Sequence, residues 1–428
     1  MASLSLTAEN RLFKKLMIKI LPVAMLGFFF SYLDRVNIGY AQSGMSIDLG
    51  FSEAAYGLGA GLFFVGYFIF EIPSNLALVR FGPRKWLARI MVSWGIICSL
   101  MFFVTNETVF YIVRFLLGSA EAGFIPGILF YMSQWFPPSR RGRSMSIFYL
   151  ALALSGTIGG PLSGIILNGM DGVLGHASWE WLFPVEALPT VILGIYIFFY
   201  LREDYHDVPW LSAEEVRHLD SMFAREASET VDAPLRKVFS NKLIWLLVFI
   251  YFAYNFGLYG ISFWLPTLVK DLGVSGALAI GMVSAIPNIA GMILMLIFGY
   301  WSDKIGVRKP FIVASFVIGA LGFVISISGT SSPVLGLAGL SLADAGALTI
   351  PCLFWSFQTN LLSGTALAGG IALINATGNL AGFVAPYVIG VVRNNTGVTT
   401  IALYICAAVM LIGAVSTWIV REKEKLVL

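Results

Sequence analysis

Twelve apolar runs, each about as long as a helix that crosses a bilayer, recur along this chain of 428 residues. A membrane's hydrocarbon core takes about 20 residues of helix to span. Inside it every backbone N–H and C=O must be bonded within the segment. The runs predict helices near residues 17–39, 55–79, 86–104, 107–134, 143–168 and 180–201. A second set is predicted near 242–269, 277–301, 309–328, 332–357, 364–392 and 398–420. One long polar stretch separates the sets, which predicts a six-helix bundle over 1–201, a linker over 202–241 and a second bundle over 242–428. Only 12% of the residues are charged, about half of what a soluble domain uses to dress its surface. The expected fold class is therefore an all-α polytopic membrane protein.

Other chemistries find little to stand on. Three cysteines, Cys98, Cys352 and Cys406, sit singly in apolar runs with no metal or redox spacing, and the three histidines fall in predicted loops. No phosphate-binding glycine loop, serine-nucleophile elbow or zinc-protease motif is present, so no enzyme, metal or organic cofactor is expected. A net charge of +3 gives no reason to expect a nucleic-acid partner. The first apolar run contains Asp34 and Arg35, which the core of a cleavable signal peptide would not tolerate.

Lys and Arg set the orientation. All but four of the 27 lie in the N-terminus, alternate loops, the linker or the C-terminus. They cluster at Arg11/Lys14/Lys15/Lys19, Arg80/Arg84/Lys85/Arg89, Arg140/Arg141/Arg143, Lys304/Arg308/Lys309 and Arg421/Lys423/Lys425. The opposite side holds Lys270 and Arg393, and Arg35 and Arg114 lie inside the apolar runs. Both termini are expected in the cytoplasm, which requires an even number of helices.

The two sets repeat weakly. NLALVRFGPRK (75–85) follows predicted helix 2 and GYWSDKIGVRK (299–309) follows helix 8. EAGFIPGILFY (121–131) in helix 4 parallels DAGALTIPCLFW (344–355) in helix 10. Repeated halves place a binding site at the interface between them, near the membrane midplane, which is the organisation of a carrier.

The loop after helix 8 resembles the hallmark cytoplasmic-loop motif of the major facilitator superfamily. Its first copy departs from it, with Asn75 at the expected Gly and Val79 at the expected Asp, so the latch there is expected to be absent or built differently. YLDRVN (32–37), RFLLGSAEAGFIP (114–126), GPLSG (160–164), FWLP (263–266) and NATGNLAG (375–382) resemble the anion:cation symporter family. Within it the chain is most similar to the bacterial carboxylate branch, which transports tartrate, phthalate, 4-hydroxyphenylacetate and pyridine carboxylates. The resemblance implies two pseudo-symmetric six-helix bundles in a bacterial inner membrane. It implies that helices 1, 4, 7 and 10 line the cavity and that 3, 6, 9 and 12 support it from outside. It also implies Arg35 as substrate ligand, Asp34 and Glu121 as proton-coupling acids, and a monomer.

Ionisable groups within a membrane are costly and mark cavities or partners. Here they are Asp34, Arg35, Glu71, Arg114, Glu121 and Asp344. At 1.5 Å of rise per residue, Arg114 and the Asp34–Arg35 pair are expected at one level, with Glu121 about 10 Å deeper on the same helix face as Arg114. Gly118 between those two is expected to leave room over the backbone. Arg grips carboxylates bidentately and keeps its proton, so Arg35 is read as the substrate anchor. Arg114 is a second anchor or a partner for Asp34 or Glu121. Glu121 is the proton acceptor, Asp34 couples or forms a salt bridge, and Asp344, at the repeat position of Glu121, is a further candidate acid. Glu71, just before Ile72 and Pro73, is assigned to a kinked helix, and Glu186 to the interface.

Asn255, Tyr259, Trp264, Asn288, Asn375 and Asn379 are expected to complete the substrate site, because tyrosine and tryptophan stack and hydrogen-bond at once. Gly156, Gly160 and Gly164 have the four-residue spacing of close helix packing. Asp303, Lys304 and Arg308 are expected as cytoplasmic latches. The expected activity is import of a small carboxylate with protons. An uncoupled facilitator, an exporter and a non-transporting sensor are its rivals.

Overall fold

The computed structural model describes residues 5–227, 240–361 and 364–420. Among them, twelve helices are long and apolar enough to span a membrane. They are α1 (Leu6–Leu49), α2 (Glu53–Phe81), α3 (Pro83–Phe103), α4 (Glu107–Trp135), α5 (Arg140–Gly169) and α6 (Ser178–Tyr200). After the linker come α7 (Lys242–Ser262), α8 (Ala277–Ile305), α9 (Lys309–Gly329), α10 (Pro333–Gln358), α11 (Leu373–Thr396) and α12 (Thr400–Ile419). Large apolar side chains such as Ile69, Ile72 and Leu76 on α2 or Ile192 and Phe199 on α6 stand exposed. A surface of that kind suits lipid and not water.

Local chemistry sets the ends. Ser52, Asn106 and Asn241 cap α2, α4 and α7 by accepting from Ala55, Val109 and Leu243 backbone N–H groups at 3.1, 3.0 and 2.8 Å. Gly82 takes φ +88 and Pro83 opens α3, a turn that only glycine makes without strain. The basic clusters at residues 80–89, 140–141 and 304–309 fall at helix ends on one side of the bundle, here the basic side. Lys270 and Arg393 lie on the other, the far side. The cluster Arg421/Lys423/Lys425 lies outside the described residues.

Two helices depart from the expected boundaries. α1 begins eleven residues earlier than the apolar run, at Leu6, and continues past Asn37 to Leu49. Its polar first turns pack on the start of α5 and on the linker. Arg140 donates to Glu9 at 2.5 Å and Lys15 to Glu215 at 2.9 Å, contacts that an apolar-run search does not see. The linker carries a helix, Ala213–Ala227, started by a Ser212–Glu215 capping box. His218 therefore sits in a helix and not in a loop. α4 breaks at Ala122, where Gly123 takes φ +85. α10 runs unbroken through the equivalent Asp344–Gly346, because Gly346 is used for a close approach to Gly319 on α9. The internal repeat is thus only approximate at this point.

Two helix pairs make the seam between the halves. α5 crosses α8 where a Cβ on Gly160 would lie 2.7 Å from the Gly281 carbonyl oxygen, and Gly164 meets Ala277. α2 crosses α11 where a Cβ on Gly57 would lie 2.5 Å from the Pro386 oxygen. The glycine spacing in α5 is therefore packing against the opposite half. At the first copy of the loop motif Val79 is exposed. Glu203, just after α6, faces Gly82 and pairs with Arg84 at 3.7 Å, so a carboxylate from elsewhere in the chain occupies the turn.

Candidate functional site

α1 and α4 bring Arg35 and Glu121 together. Glu121 is the last residue before the α4 break and is fully buried. Its Oε1 accepts from the Arg35 guanidinium and, at 2.7 Å, from the Ser31 hydroxyl. The other Arg35 nitrogen donates to the Tyr259 hydroxyl on α7 at 2.9 Å. One guanidinium thus joins a carboxylate of the first half to a phenol of the second. The Phe63, Phe64 and Tyr67 rings of α2 surround it at 5.1, 5.8 and 5.4 Å, close enough for cation–π attraction.

Arg114 is not part of this pair. It is completely buried and donates to the backbone carbonyls of Gly59 and Ala60 at 3.4 and 3.2 Å. The room expected over Gly118 is filled by the Phe63 backbone of α2, and the Phe63 ring lies 5.2 Å from the Arg114 guanidinium. The expected common level of Arg35 and Arg114 is not found: Arg35 meets Glu121, the group expected about 10 Å deeper, while Arg114 is held by α2 at Gly59 and Ala60. Asp34 does not bridge to Arg114 either. Its Oδ2 accepts from Trp94 Nε1 on α3 at 2.8 Å and from the Thr190 hydroxyl on α6 at 3.0 Å.

The remaining sequence candidates fall into three places. Asn375 donates to Glu71 across the seam at 2.6 Å and accepts from Asn379 at 3.2 Å and Tyr251 at 3.4 Å. Glu71 is therefore an inter-half contact rather than a kink-fixing group, and no sequence rule separates those roles beside a proline. Asp344 and Asn288 line a cavity of about 20 Å³ at the seam with Tyr32, Gly156 and Ser262, room for about one water. Asp344 has no ion-pair partner among the described residues. Asn255 donates to the Gly378 carbonyl within the second half.

Trp264 belongs to the far-side closure. It stands edge-on to Tyr56 at 5.1 Å, and the Tyr56 hydroxyl donates to the Phe263 carbonyl at 2.9 Å. Beside it Thr267 bonds Gln42 at 3.1 Å and Lys270 bonds Ser43 at 2.8 Å. Arg393 of α11 bridges Asp271 at 2.5 Å and Glu53 of α2 at 3.3 Å. Charge counting used Arg393 only for orientation; its partners lie far away in sequence. On the basic side Arg308 pairs with Asp303 and donates to Ser302 at 2.7 Å, and Lys304 lies 5.1 Å from the Trp301 ring. These three expected latch residues hold the α8–α9 turn inside one half.

Residues 24–386 match the model of the Major Facilitator Superfamily, and the chain belongs to that family. A putative tartrate transporter of Agrobacterium vitis is 41% identical over 97% of this chain and 92% of its own length. A quinolone resistance transporter of Acinetobacter baumannii is 38% identical over 97% and 96%. Among solved structures, a D-xylose–proton symporter superposes with a TM-score of 0.77 at 16% identity, covering 96% of this chain and 99% of that one. The last likeness concerns the fold alone. The chain is a multi-pass membrane transporter and not an enzyme, and the tartrate-named relative agrees with the carboxylate branch to which its motifs point.

Proposed function

We propose that the protein imports a small organic anion, an aromatic or hydroxy carboxylate, together with protons by alternating access. The observation that carries this reading is the buried Arg35 guanidinium, held by Glu121 on one side and Tyr259 of the other half on the other. In the empty site the cation and the carboxylate cancel. An incoming carboxylate that takes the guanidinium displaces Glu121, and a buried ionised group without a partner is strongly disfavoured. Protonation of Glu121 restores neutrality. The loaded site is then Arg35 cation, substrate anion and neutral acid, and it crosses the membrane at no greater charge than the empty one. Anion without proton leaves a net negative charge inside, so the two move together.

Tyr259 gives the second half a direct view of this exchange, and the aromatic wall of Phe63, Phe64 and Tyr67 suits a flat or compact acid. The tartrate-named relative supports the substrate class. The roles follow: Arg35 as anchor, Tyr259 with Asn375 and Asn379 as polar lining, Glu121 and Asp34 as proton-handling acids. Asp344 is a subsidiary acid at the seam. The protein works as a monomer in a bacterial inner membrane, with its basic side and both termini in the cytoplasm and no cofactor beyond the coupling proton.

The quinolone-resistance relative favours a second reading, export of an aromatic acid by the same site in exchange for protons. Purified protein in liposomes decides between them. With tartrate, phthalate and 4-hydroxyphenylacetate as probes, an inward proton gradient drives accumulation and a protonophore abolishes it while counterflow continues. Accumulation that survives the protonophore excludes proton coupling. Accumulation driven only by an outward gradient selects export.

A further inference from the structure

Resting on the proton-coupled reading above, we propose that Glu186 is the outer station of a proton relay. The relay runs inside the first half, from the far side through Asn37 and Asp34 to Ser31 and Glu121. Sequence reading placed Glu186 at the interface and α6 among the supports. The structure buries Glu186 to 1% exposure, the same as Asp34.

The geometry is a ladder. Ser31, Asp34 and Asn37 follow one another on α1 at three-residue steps, about 4.5 Å each along the axis. α6 runs antiparallel beside them, and the 3.0 Å bond from Thr190 to Asp34 fixes the two helices in register. Glu186 lies one turn of α6 from Thr190 toward the far side, about 6 Å, which brings it level with Asn37. The outer rung is therefore Glu186 with Asn37, the middle rung Asp34 with Thr190 and Trp94. The inner rung is Ser31 donating to Glu121 at 2.7 Å. Ser163 of α5 donates to Glu186 Oε1, also at 2.7 Å.

What is left over points to mobile protons. Among the described residues, Asp34 Oδ1, Glu186 Oε2, Glu121 Oε2 and both polar atoms of the Asn37 amide are buried without a well-formed hydrogen bond. Buried polar atoms are paired in the great majority of cases, by protein or by ordered water. Other unpaired atoms are scattered through the molecule, Asp344 Oδ2 and Gln358 Oε1 among them, but these five fall on neighbouring rungs beside α1. The Asn37 amide lies within hydrogen-bonding reach of Glu186 and of the Cys98 thiol, although its geometry toward them is loose, so it can pass between partners as a proton moves. The titratable neighbours are Cys98 on α3, Tyr40 on α1 and Glu121 on α4. Among the described residues no Lys or Arg forms an ion pair with Asp34 or Glu186. A pair of buried carboxyls with no cation is suited to hold protons, beside the hydrogen bonds by which Thr190 and Ser163 tie them to neighbouring helices.

The step balances simply. Hydronium from the far side gives a proton to Glu186. Glu186 passes one through water and Asn37 to Asp34, and Asp34 passes one past Ser31 to Glu121. Each station breaks one O–H bond and gains one, and one proton moves inward. Its arrival at Glu121 frees Arg35 for the anion.

The test uses Glu186→Gln and Ser163→Ala in the full chain, in liposomes. Infrared difference spectra between acid and alkaline buffer need no substrate. One protonated-carboxyl band disappears in E186Q and shifts in S163A, which loses the bond to that carboxyl. With the carboxylate probe that the wild type accumulates, E186Q slows net proton-driven uptake by roughly a hundredfold while exchange continues with unchanged KM. An unchanged carboxyl spectrum overturns the relay, as does an equal loss of net uptake and exchange, the mark of a structural role. A wild type that accumulates no carboxylate with protons defeats the parent reading instead, and the infrared result then reports on Glu186 alone.

Discussion

Arg35 and Glu121 close on each other with 8% and 1% of their side chains exposed, so neither can lose its partner without consequence. Removing one member of a buried pair strands the other at a cost of about 3–5 kcal/mol. The two single variants nevertheless diverge. Arg35→Ala removes the only group in the pair that can hold an anion, and uptake is expected to fall roughly a hundredfold or more. Glu121→Gln removes the competitor and leaves the substrate as the sole counter-charge. Carboxylate binding is expected to tighten while proton-driven accumulation fails. Isothermal titration beside liposome uptake measures both. Weaker binding in E121Q contradicts the displacement argument.

Arg114 is expected to behave as a structural residue. Its guanidinium satisfies two carbonyls of α2, and charged hydrogen bonds of this kind contribute about 1.5–3 kcal/mol each. Arg114→Ala should lower the thermal unfolding midpoint and the yield of folded protein. The folded fraction should keep the wild-type KM, measured on protein normalised by gel filtration. A raised KM without lost stability would return Arg114 to the substrate site.

The fold was legible because a bilayer is a demanding solvent. Twelve runs, a charge asymmetry and a weak repeat are all written in one dimension. Arg35 and Glu121 were legible singly as costly charges in apolar helices, but their pairing was not, since Glu121 was expected about 10 Å deeper than Arg35. Legibility failed where the answer depended on which helix stands between two others. Depth counting set Arg35 level with Arg114, yet Arg35 meets Glu121 seven residues further along α4, and the α2 backbone at Phe63 that covers Gly118 cannot be read from α1 and α4. Glu186 was misread because a position eight residues into a helix says nothing about which side it faces. The early start of α1 was missed because its first turns face the start of α5 and the linker instead of lipid.

Glu71 and Asn375 predict a swap. The 2.6 Å bond crosses the seam and needs one donor and one acceptor. Asn375→Asp sets two carboxyls against each other, like charges in close contact, and transport is expected to fall at least about tenfold. Adding Glu71→Gln to Asn375→Asp restores one donor and one acceptor and should recover part of the rate. Exchange rates of the two singles and the double measure the coupling. Strict additivity would mean that the bond does not matter to the cycle.

The far side predicts a conformational block. Closure there brings Gly57 so near Pro386 that a Cβ would stand 2.5 Å from its carbonyl oxygen, closer than carbon and oxygen can rest. The Arg393 bridge to Glu53 and Asp271 lies at the same end of the two helices. If the protein alternates, a state with the far side open must lack both contacts. Gly57→Val should forbid the closed state without touching Arg35 or Glu121, and Arg393→Ala should only weaken it. A single cysteine at Ser43, labelled by an impermeant maleimide from the far side, reads the outcome. Labelling is expected to rise strongly in G57V, with transport abolished, and modestly in R393A, with transport slowed. Equal labelling in wild type and G57V would mean that this seam does not open, and the rocking of the two halves would have to be sought at the α5–α8 crossing instead.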